Sequence, residues 1–182
     1  VSHFLTTAYS HWKWRSIGLI VQMAYEWGQR VGDMRMLTWA AIDFDKKRCD
    51  LTQSKRGEAV HLPISDALLH VLKQQHDTFD FQVLVAPHIQ PSDGAYKPYS
   101  KEILHVYVNT ILDAAGLPGY LTAMDMRRTA ITEMVEAGVD ITQIKQVSGH
   151  TNINSLTPYI KHTYTGASEA LAQRSAFKQD KE

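Results

Sequence analysis

Met124-Asp125-Met126-Arg127-Arg128-Thr129 opens the stretch MDMRRTAITEMVEAGVDITQIKQVSGHTNINSLTPYIK, residues 124–161, whose reading decides the rest of the chain. Ala130, Ile131, Met134 and Val135 recur at helical spacing and predict an amphipathic helix stopped by Gly138. Asp140 with Gln143 has the form of a capping box for a second helix, which turns Ile141, Ile144 and Val147 inward and stops at Gly149. His150 therefore stands at a helix end, where its ring reaches out of the core, and Tyr159 follows nine residues later behind Pro158. A guanidinium grips a phosphate through two parallel hydrogen bonds, an imidazole donates or shuttles a proton, and a phenol is a nucleophile once its proton has left. These are the components of phosphoryl transfer.

Outward from this stretch the chain looks ordinary. Its 182 residues, 44% hydrophobic and 21% charged, suffice for one domain with a real core. No apolar run reaches the roughly 18 residues that span a bilayer, and no signal-peptide pattern opens the chain, so an intracellular, cytoplasmic protein is expected. Lys and Arg total 19 and Asp and Glu total 19, so the net charge is zero and a nucleic-acid reading must rest on local clusters: Lys46-Lys47-Arg48, Lys55-Arg56 and Arg127-Arg128. The single cysteine, Cys49, excludes an internal disulfide and reads as a small buried residue of a strand. The nine histidines show no HExxH or other paired-ligand spacing, so no metal site is predicted.

Toward the N-terminus, Trp14, Ile17, Val21, Ala24 and Tyr25 share one face of a helix between His11 and Gln29. Gly28-Gln29-Arg30-Val31-Gly32-Asp33 then breaks it and starts another, a tight turn that presents Arg30 inward. Residues 48 to 62 read as a β-hairpin: Cys49, Leu51 and Gln53 alternate with Arg48, Asp50 and Thr52, Ser54-Lys55-Arg56-Gly57 turns, and Ala59-Val60-His61-Leu62 returns. Ser65 caps a helix through Gln75, and Val83-Leu84-Val85 is expected as a third strand of the small sheet. Residues 87–98 form an irregular loop, after which Ser100 caps a helix to about Ala115 with Ile103, Val106, Ile111 and Leu112 inward.

The ordered series GQRVGDMRMLTWAAID, Met124-Asp125-Met126-Arg127-Arg128-Thr129, Gly149-His150 and Tyr159 resembles the catalytic domain of the tyrosine recombinases, the phage-integrase family. The resemblance covers about residues 10 to 165. It implies a mainly α fold with a small three-stranded antiparallel β-sheet, one catalytic domain over residues 1–182, and a separate N-terminal DNA-clamping domain outside this fragment. It implies that Arg30 and Arg127 clamp a DNA phosphate with His150 as third donor, that Asp33 supports Arg30, that Lys55 protonates the departing 5′ oxygen, and that Tyr159 forms a 3′-phosphotyrosyl bond. The activity implied is site-specific recombination of double-stranded DNA, as a homotetramer on DNA or a monomer in isolation, without metal or nucleotide cofactor. A type IB topoisomerase-like nicking and resealing enzyme and an inactive DNA-binding module stay open as alternatives.

One position departs from the family. Met124 stands where a histidine is usual, three residues before the second arginine, and a thioether neither donates a hydrogen bond nor carries a proton. The preferred account is that the remaining donors suffice. Others are that Lys97, Lys161 or His162 moves in, that the chain is slow or inactive, or that Met124 is a core residue of a decayed enzyme. Tyr164 is a rival nucleophile, and Ala170, Leu171 and Phe177 predict a short helix in residues 163–182, docked on a neighbouring protomer or on its own domain.

Overall fold

The computed structural model describes residues 1–55, 57–89, 96–150, 152–160 and 164–179. Its helices are α1 (Ser2–Ser10), α2 (Arg15–Glu26), α3 (Val31–Met34), α4 (Asp66–Phe79), α5 (Lys101–Ala114), α6 (Asp125–Glu136), α7 (Ile141–Ser148) and α8 (Tyr164–Gln179). Between α3 and α4 the strands β1 (Ile42–Asp43), β2 (Arg48–Thr52) and β3 (Ala59–Pro63) form an antiparallel sheet in the order β1-β2-β3. Among the described residues no helix is long and apolar enough to cross a membrane.

The spine is α2. All residues from Ser16 to Ala24 are buried, so this helix is covered on every side, packing against α1, α3, α4, α5 and α6. Ile17, Leu19, Ile20 and Met23 have no exposed surface, and truncating any of them to alanine would cost about 2–5 kcal/mol. Two polar residues lie inside this surface: Ser16 accepts from Gln75 of α4, whose own oxygen accepts from Arg15, and Gln22 accepts from the Tyr9 hydroxyl and donates to Glu26. A smaller apolar cluster of Ile131, Ile144 and Leu156 joins α6 and α7 to the 3-10 turn Ile153–Tyr159. The chemistry-bearing segments lie between these two cores.

The hairpin follows the predicted phase. Cys49, Leu51 and Gln53 are buried on one side, Asp50 and Thr52 are exposed on the other, and β2 pairs with β3 from Arg48↔Pro63 to Thr52↔Ala59. The third strand is not Val83-Leu84-Val85, which makes only an isolated bridge from Leu84 to Thr38. It is β1, a two-residue strand pairing Ile42 with Cys49, too short to show any alternation. Capping serines are where they were expected: Ser65 accepts from the Leu68 amide and Ser100 from the Ile103 amide. The first of these helices runs on to Phe79 rather than stopping at Gln75, because Phe79 buries its ring. In α5 the inward stripe is Leu104, Val108, Ile111 and Leu112, an i, i+4, i+7, i+8 series, whereas Ile103 and Val106 face outward.

Candidate active site

Arg30 owes its place to the break after α2. Gly28 takes φ +58°, a left-handed conformation that L side chains rarely adopt, and Arg30 is extended at the entrance of α3. The turn is pinned to the hairpin by the Trp27 indole, which donates to the Pro63 carbonyl at 2.8 Å. Arg30 Nη1 donates to Gln53 Oε1 at 3.2 Å and lies 3.8 Å from Asp33 Oδ2, with about a quarter of its side chain exposed. The guanidinium is thus held from below and open above.

Asp33 is buried, and its stronger contacts point at the hairpin rather than at Arg30. Its Oδ1 accepts from the Ser54 amide at 3.0 Å and from the Ser54 hydroxyl, while among the described residues Oδ2 has no hydrogen-bond partner and lies 3.8 Å from Arg30 Nη1. One carboxylate therefore fixes both Arg30 and the root of the β2–β3 turn. Lys55 follows Ser54 directly and is exposed at that turn. Arg56 lies outside the described residues.

Arg127, in the first turn of α6, reaches across to both neighbouring segments. Nη1 donates to the Gly28 carbonyl at 3.0 Å and Nη2 to the Ser148 carbonyl at 2.8 Å, with the His150 ring nitrogens 3.3–3.4 Å from Nη2. His150 sits beyond the α7 C-terminus, where Gly149 adopts φ +65°, and its Nδ1 is 2.7 Å from the Ser148 hydroxyl. Asp140 caps the other end of α7, accepting from the Thr142 amide at 2.8 Å and from the Thr142 hydroxyl. Arg30, Arg127 and His150 are brought into one hydrogen-bonded assembly, with Asp33 beside Arg30 and Lys55 two residues past Gln53.

Two further amides, those of Gln29 and Gln53, join this assembly, and neither is among the residues that the sequence motifs single out. Gln53 Nε2 donates to Gln29 Oε1 at 2.6 Å and to the Ser148 carbonyl at 2.9 Å, while Gln29 Nε2 donates to the carbonyls of Trp27 and Val147. Neither glutamine has exposed surface. The available signal was phase: Gln53, one residue past β2, continues the inward alternation of Cys49 and Leu51, and a polar group there needs buried partners.

Tyr159 is placed differently. It ends the 3-10 turn and packs partly buried against the Ile131, Ile144 and Leu156 cluster, and among the described residues its hydroxyl has no hydrogen-bond partner. Tyr164 opens α8, with its side chain outside the described residues. Met124 is 81% exposed at the N-cap of α6, three residues before Arg127, so it is not a core methionine. Of the groups considered as substitutes, Lys161 and His162 lie outside the described residues, and Lys97 is exposed. Among the described residues no group of three or more His, Cys, Asp or Glu could hold a metal ion.

With two arginines and a histidine converging on one corner, the arrangement suits a tetrahedral anion whose oxygens need several donors at once. Comparison with known proteins points the same way. The chain is 26% identical over 157 residues to the tyrosine recombinase XerA of Pyrococcus horikoshii, covering 84% of this chain and 53% of that protein. It is 22% identical over 144 residues to the tyrosine recombinase XerC of Pediococcus pentosaceus, covering 77% and 48%. The chain thus spans about half the length of these curated relatives. Among solved structures the fold matches XerA recombinase, with TM-score 0.72, 16% identity and coverage of 95% of this chain and 60% of that one. It also matches the Tn1549 transposon integrase in complex with transposon right-end DNA, with TM-score 0.76, 15% identity and coverage of 96% and 64%. The model of the phage integrase family matches residues 5–165, and the chain belongs to that family.

Proposed function

We propose that this chain is the catalytic module of a site-specific DNA recombinase that cuts and rejoins double-stranded DNA through a 3′-phosphotyrosyl intermediate at Tyr159. The observation that carries the reading is the assembly of Arg30, Arg127 and His150 around the Gln53 amide and the Ser148 carbonyl. In-line attack by the Tyr159 phenolate forms a tyrosine–phosphorus bond and breaks the bond from phosphorus to the 5′ oxygen, which leaves as a hydroxyl after taking a proton from Lys55. Negative charge builds on the two non-bridging oxygens, where preorganised guanidinium groups help most; losing one such donor costs about 100-fold to 1000-fold. The phosphotyrosyl bond keeps the energy of the broken linkage, so a 5′-hydroxyl from another strand reverses the step.

Assembly as a tetramer on DNA is part of the same proposal. The described side chains of α8 are exposed along its length, Leu171 at 62% and Phe177 at 59%, which favours docking on a neighbouring protomer over packing on its own core. Exposure of the Tyr159 turn is consistent with a nucleophile that settles against the phosphate when DNA and neighbours arrive. Structures of the family's Tn1549 and lambda integrases bound to DNA support DNA as the partner here.

The deciding experiment is trapping on nicked duplexes whose core is randomised, since the target sequence is not specified by the chain. The expected result is a covalent protein–DNA adduct that is lost in Tyr159→Phe and retained in Tyr164→Phe. An adduct that survives Tyr159→Phe overturns the assignment. Relaxation of a plasmid without any preferred sequence would instead favour nicking and resealing alone.

A further inference from the structure

We infer that Gln53 is a positioning residue for the phosphate clamp, its buried amide holding the guanidinium groups of Arg30 and Arg127 in one register. The inference rests on the reading of those two arginines as the clamp, and it adds how they are aligned. Gln53 has no exposed surface, so it does not touch substrate and acts only through its partners.

The orientation of its amide follows from chemistry. A guanidinium only donates and a main-chain carbonyl only accepts. Gln53 Oε1 therefore faces Arg30 Nη1, and Nε2 spends both hydrogens on the Ser148 carbonyl and Gln29 Oε1. Gln29 is locked in the same way, because its own Nε2 meets the carbonyls of Trp27 and Val147. The Ser148 carbonyl in turn accepts from both Gln53 and Arg127, using its two lone pairs. A side chain at the end of β2, one residue past the strand, is thus the link between the arginine that follows α2 and the arginine of α6, and no flip of either amide leaves the network satisfied.

Isosteric and half-satisfied replacements separate this role from simple core filling. Gln53→Met fills a similar volume without donor or acceptor, and Gln53→Glu keeps the acceptor toward Arg30 while setting oxygen against the Ser148 carbonyl. In the nitrogen-15 labelled chain, the order of each arginine side chain is read from the heteronuclear NOE of its Nε–Hε pair, with signals assigned by Arg30→Lys and Arg127→Lys. The expected pattern is order at both arginines in wild type, loss at both in Gln53→Met, and loss at Arg127 alone in Gln53→Glu. Arg127 as ordered in a folded Gln53→Glu as in wild type overturns the inference, as does disorder at both arginines in wild type. Should Gln53→Met not fold, Gln53→Glu decides.

Adduct formation supplies the second readout. Misplacing the clamp by about 1 Å is expected to slow it about 100-fold on an ordinary phosphodiester. On a scissile methylphosphonate, which lacks one negative oxygen, the same variant should lose far less. An equal loss on both linkages marks Gln53 as merely structural. If wild type forms no adduct at all, the clamp reading fails, and the side-chain order measurement still decides whether Gln53 couples the two arginines.

Discussion

Gln53 and Arg127 converge on a single oxygen, the Ser148 carbonyl, at 2.9 Å and 2.8 Å. That oxygen precedes Gly149, whose φ of +65° swings the chain out of α7 toward His150. A Cβ at Gly149 would lie 2.6–2.7 Å from the Gln53 amide atoms, which are tied down by Gln29 and Arg30 and have nowhere to move. Gly149→Ala therefore combines left-handed strain with overpacking, an expected loss of about 2–5 kcal/mol in denaturant unfolding. A loss below about 1 kcal/mol would show that the corner is looser than described.

Arg127 has a structural load and, under the proposed function, a chemical one, and the two can be separated. Its fork spans the Gly28 and Ser148 carbonyls, which a lysine ammonium cannot reproduce with the same planar geometry. Arg127→Lys is expected to lose about 1–3 kcal/mol of stability and to form adduct about 100-fold to 1000-fold more slowly. The adjacent Arg128 is exposed, and Arg128→Lys should shift stability by no more than about 0.5 kcal/mol. Equal unfolding free energies for the two variants would refute the burial-based distinction.

Much of this fold is readable along the chain because its signals are local. Serine caps, the inward phase of Cys49, Leu51 and Gln53, and the glycine after α7 each act within a few residues of themselves. The short helix α1 buries just Phe4 and Ala8, too few positions to mark a stripe, and in α5 Leu104, Val108, Ile111 and Leu112 make a cleaner helical stripe than one through Ile103 and Val106. Val83-Leu84-Val85 has strand composition, yet the sheet ends in β1, because pairing partners are chosen by tertiary packing rather than by propensity. Arg30, Arg127 and His150 came from a family resemblance. The Gln29–Gln53 junction did not, since a buried amide is recognised only by partners distant in sequence.

Met124 tests whether a missing donor limits the rate. It is 81% exposed at the start of α6, one helical turn before Arg127, so a larger polar ring there meets no packing obstacle. Met124→His restores a side chain able to donate to a phosphate oxygen and to move a proton. The expected outcome is adduct formation faster by about 10-fold or more, with stability within about 0.5 kcal/mol of wild type. An unchanged rate would mean that Arg30, Arg127 and His150 already supply every donor the step uses.

Acid should loosen the helix that delivers His150. The Asp140 carboxyl is held below its ordinary value of 3.8, first by the Thr142 hydroxyl and then by the main-chain amides of Thr142 and Gln143 that it caps. Since the folded form binds this proton less readily than the unfolded form, the carboxylate stabilises α7 fully above 3.8 and ceases to do so as the pH drops through the depressed folded value. Asp140→Ala should therefore melt at a lower temperature than wild type near neutrality, with the gap narrowing in acid. Asp140→Asn keeps a neutral cap, so its difference from Asp140→Ala should stay nearly constant across the same range. A wild-type advantage over Asp140→Ala that is the same at pH well below 3.8 as at neutrality would remove the carboxylate from the account of how α7, the Ser148 carbonyl and His150 are held.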